Sequence, residues 1–183
     1  MNLPTVKALF ISLFLLTGCS ASLQDYSNSS PEFELKKYFD GEVTAWGIVQ
    51  DYSTKLSRRF CVDIIGTWNG NEGQLHETFY YNDGEQQIRI WDLKTLADGT
   101  VTGSAGDVIG QASGRSQGSA FNWQYTLIVP VGDSEYEFAI DDWMFQMDDT
   151  RVMNRSYMKK WGVTVAEISI FFDKTQPIRK CQA

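Results

Sequence analysis

Histidine occurs once in the 183 residues and cysteine three times, and these shortages remove several chemistries at the outset. The single histidine, His76, stands beside Glu77. On a strand, neighbouring side chains leave opposite faces, so a catalytic triad built on that pair has no geometry to support it. Zinc lacks a ligand set, because one histidine and two cysteines expected to pair with each other do not make one. Positive charge is also short: 16 Lys and Arg against 23 Asp and Glu give a formal net charge of −7, which makes nucleic acid and anionic surfaces poor bulk partners. The glycines Gly106, Gly110, Gly114 and Gly118 lack the Gly-Lys-Ser/Thr of a phosphate loop. Asp148 and Asp149 lack the spaced aspartates of a calcium loop. No catalytic group, metal or cofactor is therefore expected. Nor does the chain contain an apolar run long enough to span a bilayer, since residues 8–16 are too few.

What that short run does resemble is the core of a secretory signal peptide. It ends in Leu16-Thr17-Gly18-Cys19, which resembles the lipobox of bacterial lipoproteins. The resemblance implies cleavage after residue 18 and a lipid on Cys19, a membrane attachment that several acyl chains make effectively permanent. Ser20 follows in place of the aspartate of an inner-membrane retention signal, so the expected address is the outer membrane, facing the periplasm. Residues 19–31 carry five serines and little apolar content and read as the lipidated cysteine and a flexible tether. Residues 32–183 are the right size for one domain. With Cys19 lipidated, Cys61 and Cys181 remain in an oxidising compartment, an even number that invites a disulfide tying the C-terminal tail to an early strand.

From Glu42 onward the apolar period is two. Phe121, Trp123, Tyr125, Leu127 and Val129 alternate with polar neighbours, as do Phe60, Val62 and Ile64, and Tyr136, Phe138 and Ile140. Only residues 32–39 offer a short helix. Asp83-Gly84, Gly99 and Gly132 mark tight turns, and the glycine series reads as a hairpin turning within residues 113–117. Short joints between eight to ten strands predict an all-β antiparallel meander closing into a lipocalin-like, calycin-type barrel, since closure removes exposed edges. Trp46, in "GEVTAWG", is a candidate barrel plug. A barrel of this size can hold a small ligand.

The stretch "IDDWMFQMDD" looks at first like paired carboxylates, but alternation splits each pair across two faces. Continuing the inward phase of Phe138 and Ile140 places Asp142 inside and Asp141 outside. An interior carboxylate needs a partner; Arg89, Arg151, Arg155 and Lys160 are the available cations, and a buried contact with an arginine is expected. The candidate ligand-binding residues are Trp123, Tyr125, Phe138, Asp142, Trp143, Arg89 and Arg155.

Across residues 38–172, the phrases "FDGEVTAWGIVQD", "ETFYYNDGE", "GDVIGQASG", "IDDWMF" and "NRSYMKKWGVTVAEISIFF" together resemble bacterial lipoproteins catalogued as domain of unknown function 3833. His76 departs from that pattern, which has an acidic residue there. The resemblance implies a lipid-anchored all-β envelope protein and no established activity. Two readings stay open: a binder of a fatty-acyl or other apolar ligand, and a structural or protein-interaction lipoprotein with a filled core. An apolar cavity in the barrel would separate them.

Overall fold

The computed structural model describes residues 21–179 and 181. The signal peptide expected at residues 1–18 and the lipidation site expected at Cys19 lie outside the described residues. The alternating segments form ten strands: β1 Gly41–Asp51, β2 Leu56–Asn69, β3 Glu72–Tyr81, β4 Gln86–Thr95, β5 Val101–Ser104, β6 Val108–Gln117, β7 Ala120–Val131, β8 Ser134–Gln146, β9 Arg151–Lys160 and β10 Val163–Asp173. Each pairs antiparallel with the next in sequence, and β10 closes on β1 with Gly47 opposite Ile170. The all-β barrel expected from the alternation is the architecture observed, at the upper end of the expected strand number.

The tight joints fall where the turn residues stand. Gly84 and Gly99 have φ of 88° and 81°, a left-handed conformation that favours glycine. The glycine-rich hairpin turns later than expected, at Gly118 and Ser119, because β6 shifts register against β7 between Ile109 and Ser113. Such a bulge uses residues without advancing the pairing.

One end of the barrel is closed. The short helix α1, Leu35–Phe39, turns Leu35 and Phe39 inward, and Phe39 meets Phe172 edge to face at 5.5 Å. Helix and barrel come so close at Gly66 that a Cβ there would lie 1.7 Å from the Phe39 carbonyl oxygen. Phe33 stacks on Phe121 at 5.6 Å, Phe121 on Trp123 at 5.7 Å, and Trp123 meets Trp91 at 5.6 Å. Aromatic pairs of this kind each contribute about 0.5–1.5 kcal/mol beyond their buried area. Together they make a solid floor.

The segment expected as a free tether is docked on that closed end. A 3-10 turn, Leu23–Tyr26, sets Tyr26 against Phe145 at 5.5 Å and Trp143 at 5.9 Å. The Ser119 amide donates to Ser29 Oγ at 2.8 Å, and the Phe33 amide to the Gly118 carbonyl at 2.8 Å. The serine content that suggested disorder supplies hydrogen bonds to the β6–β7 turn instead.

Near the other terminus, Cys181 forms a disulfide with Cys61, their Cα atoms 5.4 Å apart at a sequence separation of 120. Cys61 points outward from β2, between the inward Phe60 and Val62. Trp46 pairs with Cys61 across β1 and β2 and shares its outward face, so it is not the plug; the inward residues of β1 are Val43, Ala45 and Val49.

Candidate ligand-binding cavity

Ten strands enclose more space than their inward side chains fill. Above the aromatic floor lies a cavity of about 670 Å³, inside the range of small-molecule sites. Trp91, Trp123, Phe79, Leu127, Met158 and Ile168 are among its apolar walls, and Leu35 and Phe39 of α1 border its closed end. Gln87, Val129 and Pro130, at strand ends far from α1, border its mouth. Trp123 and Tyr125 thus stand where the alternation placed them. Glycine lets the indole of Trp123 lie flat there: a Cβ on Gly114 would fall 2.7 Å from its ring, and one on Gly103 would fall 3.0 Å away. Gly106 and Gly110 face open space, so only part of the glycine series serves this purpose.

A polar band crosses the middle of the cavity. Arg89 extends inward from β4 in phase with Trp91 and Leu93, while its neighbours Ile88 and Ile90 face solvent. Its Nη2 and Nε donate to Asp107 Oδ2 at 2.7 and 2.9 Å, and Nη1 lies 3.9 Å from Glu77 Oε2. Burial works against the Arg89 charge, but Asp107 and Glu77 more than compensate and hold the guanidinium firmly protonated. Asp142 is only 6 % exposed. Asn154 Nδ2 and Ser156 Oγ both donate to its Oδ1, the latter at 3.0 Å.

These groups carry shifted acidities. Burial pushes the Asp142 carboxyl up to about 6, against the pull of the Asn154 and Ser156 hydrogen bonds. Burial likewise lifts Glu77 to about 7; the Arg89 charge opposes this, and Asp107 and Asp142 add to it. The Tyr125 phenol is raised well above its ordinary value by burial first and by Asp142 second. Neutral and charged forms of both carboxyls are therefore within reach near neutral pH.

A family model described as Protein of unknown function (DUF3833) matches residues 13–174. The chain belongs to the DUF3833 family. The match takes in α1 and every strand of the barrel, and stops short of Cys181. No curated protein matches.

Within this DUF3833 barrel, four expectations need correction: the partner of Asp142, the faces of Arg155 and Trp143, and the depth of Phe138. Asp142 is inward as expected, but its hydrogen bonds come from Asn154 and Ser156, not from an arginine. Arg89 reaches it only through its field. Arg155 lies between those two on β9 and so points outward, where its Nε donates to Glu167 Oε2 at 3.1 Å. Trp143 is next to Asp142 and is likewise outside, covered by Tyr26. Phe138 keeps the inward phase, opposite Leu127, but lies at the rim beneath Lys160, whose Nζ is 5.5 Å from its ring, and does not line the cavity.

Glu77, Asp107, Asn154 and Ser156 were not among the residues expected at the site. Glu77 had a signal: it continues the inward series of Leu75, Phe79 and Tyr81, so it is a carboxylate in an apolar phase. Asn154 and Ser156 follow inward Val152 in the same way. Asp107 sits in the turn before β6, where no periodicity identifies it.

Proposed function

We propose that this DUF3833 protein is an envelope lipoprotein, anchored through Cys19 in the outer membrane and facing the periplasm, whose barrel binds one apolar ligand without catalysing a reaction on it. The observation that carries this reading is the cavity: about 670 Å³, apolar at its walls, floored by packed aromatics and crossed by a few convergent polar groups. An apolar body would occupy the space between the walls, and a polar end would reach the Arg89, Glu77 and Asp142 band. The competing interaction lipoprotein calls for a filled interior, and the void above Trp91 and Trp123 counts against it.

The docked N-terminal segment supports a definite orientation. Ser29 and Phe33 are tied to the β6–β7 turn at the closed end, so an anchor at Cys19 leaves the mouth facing away from the membrane that holds it. Ligand would then be exchanged with the periplasmic space or with a surface across it.

Native mass spectrometry of the full-length protein, gently extracted from its host membrane, tests the reading together with displacement of the apolar fluorophore N-phenyl-1-naphthylamine. A co-purifying lipid-sized mass at one per chain, released when the fluorophore binds, is the expected result. Protein that carries nothing and leaves the fluorophore unaffected would remove the ligand hypothesis.

A further inference from the structure

The polar band is unbalanced. Among the described residues, three carboxylates, Glu77, Asp107 and Asp142, line the depth of the cavity beside a single guanidinium, Arg89, while Glu85 borders the mouth. Asp107 takes that guanidinium through hydrogen bonds of 2.7, 2.9 and 3.1 Å. The other arginine of the lining, Arg58, stands at the mouth, engaged by Asp83 and Glu85 at 2.7 and 2.6 Å with its guanidinium stacked 3.5 Å from the Tyr81 ring centroid. Glu77 is left with one ionic contact at 3.9 Å and no hydrogen bond from the described residues. Asp142 receives neutral donors only, both on Oδ1, which leaves Oδ2 without a hydrogen bond from the described residues.

Resting on the cavity reading above, we infer that the ligand's buried polar end is a cation, an amine carried on an apolar body, and that it seats against Glu77 and Asp142. An anionic head such as a free fatty-acid carboxylate would add a negative charge beside two carboxyls whose ionisation burial already opposes, where among the described residues the one deep cation, Arg89, is already paired, at high cost in a low dielectric. An ammonium group supplies the missing charge and the missing donors together. The faces of Tyr125 and Trp91, set edge to face at 5.3 Å beside the band, add the aromatic surfaces to which cations are drawn. A metal ion is the poorer occupant, since among the described residues no three acidic, histidine or cysteine side chains come close enough to chelate one.

The same geometry makes capture depend on pH. The groups that face Glu77 and Asp142 are Arg89 from β4, Asp107 from the turn before β6, Tyr125 from β7, and Asn154 and Ser156 from β9. Burial poises Glu77 at about 7 and Asp142 at about 6, so acid neutralises the seat.

Titration of the full-length protein with dodecylamine, dodecanol and dodecanoate, each below its micellar concentration and followed by tryptophan fluorescence, reads the head-group preference at constant chain length. At pH 8 the amine should bind at least about tenfold more tightly than the carboxylate. Its advantage should shrink toward pH 5. Glu77→Gln, which keeps the shape of the side chain, should weaken the amine severalfold more than it changes dodecanol, and the Glu77→Gln/Asp142→Asn pair should abolish the preference. Should the double variant fail to fold, the single variant and the pH series decide. Dodecanol bound with no preference for the amine, or dodecanoate bound more tightly than the amine, overturns the head-group assignment alone. Binding of none of the three overturns the cavity reading with it.

Discussion

Glu77 illustrates how one side chain couples the cavity to stability. Its pKa in the folded protein is about 7 against an ordinary 4.5, because burial outweighs the attraction of Arg89. The folded state therefore keeps a proton that the unfolded chain gives up, so between roughly pH 4.5 and 7 stability falls as pH rises, on the order of a few kcal/mol in all. Glu77→Gln removes the ionisation and keeps the neutral shape. It should leave the melting temperature unchanged at pH 5 and raise it by several degrees at pH 8; a loss of stability at pH 8 would show that the Arg89 attraction dominates. At this scale the sequence was partly legible. The inward phase of Asp142 and Arg89 could be read from their apolar neighbours. Their partners could not, because a partner is chosen by register across two strands, and β9 presents Asn154 and Ser156 to Asp142 while Arg155 faces outward.

Strands and turns were the most legible elements, since period-two patterning and Asp83-Gly84 both act locally. What escaped was the contact between elements distant in sequence. The docked N-terminal segment depends on the outward aromatic pair Trp143 and Phe145, more than a hundred residues away, and nothing near Tyr26 announces it. The closed end is similar: Gly66 reads locally as a strand glycine, while its role is to admit the backbone of α1. A methyl at Gly66 would overlap the Phe39 carbonyl, and backbone cannot yield as a flexible side chain does. Gly66→Ala should thus displace α1 and loosen the floor, costing at least about 1–3 kcal/mol. Chemical denaturation would measure the loss, and faster hydrogen exchange at residues 35–39 would locate it. A variant of wild-type stability would mean that the helix end shifts freely and is not fixed by this contact.

For the molecule as a whole, barrel closure and the disulfide act on different things. Closure pairs β10 with β1 and removes both sheet edges, which shapes the cavity. The disulfide joins the last described residue, Cys181, to the outward face of β2 across 120 residues of chain. On the chain-entropy account, a loop that long raises stability by roughly 4–5 kcal/mol, by restricting the unfolded chain more than by adding a native contact. Phe60 and Val62, on either side of Cys61, face the cavity, so the bond and the ligand lie on opposite sides of one strand. Stability and binding should therefore separate. The Cys61→Ser/Cys181→Ser variant should melt roughly 10 °C or more below the native protein, given about 2–4 °C per kcal/mol for a domain of this size. Well below that temperature its affinity for an apolar ligand should remain within about twofold of the native value. Paired melting curves and titrations at about 15 °C, near the usual stability maximum, test both halves. Affinity lost together with stability would show that the C-terminal tail shapes the β1–β2 wall, and would make the disulfide part of the binding site rather than a fastening outside it.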